Sequence, residues 1–121
     1  MPDINEVWLV LTTLPTQDAA DALSAALIEN RLAACVTILP ASRSIYRWQG
    51  KIESAQEVPI LIKTTCTRYP ALEKTLRNLH PYEIPEIIAV PLTGGLPAYL
   101  AWVHAETSAA PPADPSNPSV P

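Results

Sequence analysis

Apolar residues recur along this chain in two rhythms, one short and continuous, the other at helical spacing. Residues 6–13 (EVWLVLTT) form a brief apolar run rich in strand-favouring side chains, closed by Leu14-Pro15, and predict a strand. Thr16 is then placed to cap a helix running to about Asn30, with Ala19, Ala22, Leu23, Ala26 and Leu27 as its apolar stripe. Asp18 and Asp21 lie near the positive end of that helix and Arg31 near its negative end. Residues 34–48 are strand-like with a break at Pro40, Gln49-Gly50 supplies a tight reversal, and residues 57–65 (EVPILIKTT) return as another strand. Tyr69, Leu72, Leu76 and Leu79 predict a second helix over residues 67–79, supported by the Glu73/Arg77 pair one turn apart. Residues 86–92 (EIIAVPL) read as a further strand, and Pro97 opens a last helix to about Thr107.

The order β-α-β-β-α-β followed by a helix is the ferredoxin-like α+β arrangement: an antiparallel sheet with both main helices on one face. A sheet with a wet second face alternates apolar and polar residues. The runs VWLVL (7–11), ILI (60–62) and IIAV (87–90) do not alternate, so both faces are expected to be buried. The C-terminal helix is one candidate cover. At about eleven residues and 1.5 Å per residue it is only about 16 Å long, so it covers part of a four-stranded face. Association of copies is the reading preferred here, and the fold is expected to be trimer-forming. The domain is set at residues 1–108. Residues 109–121 (AAPPADPSNPSVP) are expected to be a proline-rich tail, extended or disordered, with little apolar surface to bury.

Composition narrows the function classes. The chain has 121 residues, nearly half of them apolar, which suits a globular domain. Its net charge of −4 and eight basic residues argue against nucleic acid as a partner. No apolar run reaches the length of a membrane span, and the N-terminal residues lack a signal-peptide pattern, so a cytoplasmic protein with no membrane partner is expected. Cys35 and Cys66 lie in strand-like runs without metal or disulfide spacing and read as buried free thiols.

The runs RLAACVTILP (31–40), SIYRWQGKIE (44–53), ILIKTT (60–65), LHPYEIPEIIAVP (79–91) and YLAWV (99–103) resemble, in this order and spacing, the CutA divalent-cation tolerance proteins. The resemblance covers about residues 7–107. It implies a ferredoxin-like homotrimer whose subunits interlock through their sheets and a role in tolerance of copper and other divalent cations; since no catalytic set appears among the residues, no enzymatic activity is expected. In enterobacterial members copper binding is attributed to a cysteine near the end of the first strand and to a His-His pair opening the His-Pro-Tyr segment. Those positions are Thr12 and Leu79 here, leaving His80. A hydroxyl and a leucine do not replace a thiolate and an imidazole as ligands.

His80 and Glu83 are the candidate metal ligands, three residues apart on a turn, suited to a weakly bound divalent cation such as copper or zinc. No cofactor is required. The competing role for His80 is to cap the preceding helix, which Pro81 stops. Tyr46 and Trp48 share one side of a strand and, with Tyr82, either line an intersubunit cleft or pack a partner chain. Lys63 either binds an anion in such a cleft or emerges at its strand end with its stem buried. Cys35 is a small buried hydrophobe or a thiol that attracts Cu(I). His104 is expected on the surface. No phosphate loop, nucleophile elbow or zinc spacing is present, and Gly94-Gly95 reads as a turn more readily than as an anion cradle. The alternative function is a trimeric regulatory or interaction scaffold that binds a small ligand or protein between subunits.

Overall fold

A computed structural model describes residues 6–108, and the expected proline-rich tail lies outside the described residues. The chain runs β1 (Val7–Leu14), α1 (Gln17–Glu29), β2 (Cys35–Ile38), β3 (Ser42–Trp48), β4 (Lys51–Thr65), α2 (Tyr69–Leu79), β5 (Ile88–Pro91) and α3 (Pro97–Thr107). Strand order is β2-β4-β1-β5, every pairing is antiparallel, and β3 pairs with the outer half of β4. This is the expected ferredoxin-like topology with its second strand divided at Pro40 and a helix added at the end.

The registers Val10↔Ile62, Thr12↔Ile60 and Leu14↔Val58 place one set of side chains beneath the two helices. There they meet Ala20, Leu23 and Leu27 of α1 and Leu72 and Leu76 of α2 in one core, and most of these side chains exclude solvent entirely. Thr16 caps α1 as its sequence suggests, accepting a bond from Ala19 N at 3.1 Å. The other end of α1 differs from expectation. Arg31 adopts φ 56, and Arg68 instead serves the helix's negative end, donating from Nε to Arg31 O and from Nη2 to Asn30 O.

The opposite face carries Leu9, Leu11, Leu61, Lys63, Ile88 and Val90 by strand alternation. Helix α3 packs there against β4 and β1, burying Val103 and Thr107. It covers the face only in part: Ile88 and Val90 stay half exposed. A second departure is the length of β4. The expected strand begins at Glu57, but pairing starts at Lys51, so β3 and β4 form a hairpin arm closed by Gln49 (φ 51) and Gly50 (φ 81). Two successive positive φ values make the type I′ turn that matches strand twist, and Gly50 meets no steric penalty there.

Candidate functional site

The base of the hairpin arm meets the end of β1 and the segment after α2, and polar side chains converge at this junction. His80 ends α2, its backbone N–H donating to Leu76 O at 2.8 Å, while proline follows and stops the helix. Its side chain turns away from the helix toward β1 and is 8% exposed. Nε2 lies 2.8 Å from Thr13 O and 3.1 Å from Thr12 Oγ1, and Nδ1 accepts from Tyr82 N at 3.2 Å. A carbonyl can only accept, so Nε2 carries the proton and the ring is the neutral Nε2–H tautomer. Burial holds its pKa below the usual histidine value, against an opposing pull from the Thr13 carbonyl and the Glu57 charge. The sequence-expected capping role is thus met by the backbone, while the imidazole ties α2 to β1.

Glu57 is the second member of the junction and one that the sequence reading left unassigned. Thr13 Oγ1 donates to Glu57 Oε2 at 2.9 Å, and the hydroxyls of Ser44 and Tyr82 also hydrogen-bond to the carboxylate. Burial pushes its pKa up, but the three hydroxyls and His80 outweigh that and leave it below the usual glutamate value. The same contacts act in reverse on Tyr82: burial first, then the bond to Glu57, push its phenol up to about 12. The Tyr82 ring sits 4.9 Å from that of His80, with Tyr46 close by. One carboxylate therefore joins β1, β3, β4 and the segment after α2.

Most of the candidate residues fall into two groups, with Trp48 and Glu83 outside them. His80, Tyr82 and Tyr46 gather around Glu57. Lys63 and Cys35 pair across β4 and β2, with Lys63 Nζ 2.6 Å from Thr37 Oγ1 and 3.9 Å from Cys35 Sγ. Tyr99 of α3 reaches the same thiol, and burial followed by the Cys35 contact raises its pKa. Trp48 stays on the exposed arm. Glu83 lines a groove of about 510 Å3 with Tyr82, Glu73, Lys74, Arg77 and Asn78, so Tyr82 borders both this groove and the Glu57 junction. Neither cysteine forms a disulfide among the described residues, and both are half-buried rather than fully enclosed. His104 is exposed as expected. Among the described residues, no three His, Cys, Asp or Glu side chains converge as a metal cluster.

The family model described as CutA1 divalent ion tolerance protein matches residues 8–106. The chain belongs to this family. Among its CutA relatives is the divalent-cation tolerance protein CutA of Thermus thermophilus, 46% identical over 99 residues, spanning 82% of this chain and 96% of the relative. Mouse protein CutA is 45% identical over 103 residues, which is 85% of this chain and 58% of the mouse protein. The crystal structure of CutA from Xylella fastidiosa superposes with a TM-score of 0.83 at 48% identity, covering 85% of this chain and 99% of that one. The matched span contains the whole hairpin arm and the His80–Glu57 junction, so both lie within the CutA fold rather than on an appendage to it.

Proposed function

We propose that this chain serves divalent-cation tolerance, copper among the cations, as a closed cytoplasmic homotrimer without catalytic chemistry of its own. The observation that carries the assembly is the apolar surface a single copy leaves open. Ile45 and Ile52 on the hairpin arm are 65% and 73% exposed, and Ile88 and Val90 add to the partly covered sheet face. Apolar patches of this kind mark contact surfaces, and α3 leaves this one unfinished. Light scattering at micromolar concentration should give three times the 13.1 kDa chain mass. A stable folded monomer there would refute the reading. Two cysteines outside any disulfide suit a reducing compartment, and among the described residues no helix is long and apolar enough to cross a membrane.

The cation in this reading is held weakly. His80 offers Nδ1 only when the Tyr82 N–H bond opens, and Glu83 adds one exposed carboxylate. Cys35 supplies the thiol for Cu(I). Titration with Cu(II) or Zn(II) should therefore show affinity on the order of micromolar or weaker, since one imidazole and one carboxylate leave a tetrahedral site incomplete. His80→Ala should remove most of that binding and Cys35→Ser only the Cu(I) part. Tight binding that survives both substitutions would place the metal elsewhere.

A further inference from the structure

The group at Lys63 has more hydrogen-bond donors than acceptors. An ammonium carries three N–H bonds and no acceptor. Two of them are directed at Thr37 Oγ1, 2.6 Å away, and at Cys35 Sγ, 3.9 Å away. Among the described residues the third meets no protein acceptor and Lys63 forms no ion pair. Thr37 accepts from Lys63, so its own hydroxyl proton is left to donate, and it meets no protein acceptor among the described residues. Two adjacent donors, one of them cationic, are thus left unmet among the described residues. Lys63 is half-buried beside Leu9 and Leu61, where an uncompensated charge is costly. Thr37 lies exposed on β2, the edge strand, so the pair sits at the rim of the sheet face rather than at its centre.

We propose that Lys63 and Thr37 form a binding site for a small oxyanion, one oxygen taking the free ammonium proton and a second the threonine hydroxyl. A carboxylate or a phosphate supplies two acceptor oxygens and the charge that strengthens the bond to the ammonium, so it is favoured over a neutral acceptor. Tyr99, beside Cys35, forms a tilted pair with Trp102 at 5.7 Å, and both rings are partly exposed. These rings give the body of an organic carboxylate a flat apolar wall that inorganic phosphate does not use. The donor pair belongs to one chain, so the site goes beyond the cation reading and does not depend on it.

The probes are inorganic phosphate and benzoate, titrated separately at constant ionic strength into the full chain and followed by amide NMR shifts. Saturable binding is expected, with dissociation constants on the order of millimolar for a single exposed ionic contact. Lys63→Met should weaken it at least about tenfold and Thr37→Val about threefold, in line with losing a charged and a neutral bond respectively. Thr37 is exposed on an edge strand, so its variant keeps the test alive if Lys63→Met fails to fold. Tighter benzoate than phosphate assigns organic carboxylates, and the reverse order assigns phosphate-type ligands; either supports the site. Absence of saturation with both anions overturns it, and so does parent-like affinity in Thr37→Val together with any folded Lys63→Met. Light scattering on the same samples separates the two readings: a trimer that binds neither anion loses only this site, and a monomer that binds loses only the assembly.

Discussion

The two halves of β4 belong to one continuous strand yet obey different physics. From Val58 to Thr65 it runs between β1 and β2, and Val58, Ile60, Ile62 and Thr64 are buried beneath the helices. From Lys51 to Glu57 the strand it pairs with among the described residues is β3, and nearly every side chain is exposed. An isolated two-stranded ribbon is marginal in water. The inner half is held by its core, and the outer half by its I′ turn, its ladder and whatever docks on it. Glu57 stands at the border, where three hydroxyls secure the arm to the body. A strand's length is thus set by pairing, whereas its hydrophobic pattern reports only on burial.

The sharpest way to break this comparison is to truncate one isoleucine from each half. Ile60→Ala removes a fully enclosed side chain and should cost about 2–5 kcal/mol in denaturant unfolding at neutral pH. Ile52→Ala, at 73% exposure, should change the stability of a single copy by less than about 0.5 kcal/mol. Its effect should appear instead as easier dissociation on dilution, measured by light scattering, if the arm docks on a neighbouring copy. Equal unfolding losses for the two would show that the arm is already buried within one chain.

The border itself gives the next effect. Glu57→Gln replaces a charged acceptor with a neutral one beneath three hydroxyls and should cost about 1 kcal/mol, the scale of a partly solvated hydrogen bond. Acid should act on the same joint. His80 is held below its ordinary value of 6.5, so the unfolded chain binds its proton first. The stability His80 contributes is complete above about pH 6.5 and declines as pH falls toward the folded value. Glu57, also held below its ordinary 4.5, adds a second loss at lower pH, as the carboxylate takes a proton that the folded state disfavours. Unfolding midpoints from pH 7.5 to 5 should therefore fall for the parent and flatten for His80→Gln. An equally steep fall in the variant would assign the acid response to other groups.

Much of this fold was legible because its signals are local. The β1 run, the Thr16 cap and the 69–79 stripe each lie within a few residues, and each appears where expected. The outer half of β4 was not legible, since ESAQ (53–56) has neither apolar alternation nor a buried face to enforce one. The site was readable by residue but not by role. His80, Tyr82, Lys63 and Cys35 could be singled out, yet the His80 bonds span 67 and 68 positions and the Lys63 contacts 26 and 28. Such pairings follow from topology, not from neighbours. Glu57 offered one clue: a carboxylate opening an otherwise apolar strand run has to find donors. Arg68 offered none, because the helix end it serves lies 37 residues away.

The smallest effect tests the turn that lets the arm exist. A type I′ turn needs φ > 0 at both central residues, and Asn-Gly is the pair that best tolerates it. Here Gln49 occupies the first position at φ 51, a left-handed backbone conformation that costs a residue with a side chain about 1 kcal/mol. Asparagine visits this region more readily, because its short amide bonds locally to the backbone. Gln49→Asn should stabilise the hairpin by a few tenths of a kcal/mol, and amide exchange is the suitable readout because it resolves the arm from the core. Amides of Ser42–Trp48 and of the outer half of β4 should exchange more slowly, while Val10 and Ile62 stay unchanged. Gln49→Val places a β-branched residue at the same φ and should move exchange in the opposite direction. If both variants slow or quicken core and arm together, the two halves of β4 open as one unit and the division drawn between them fails.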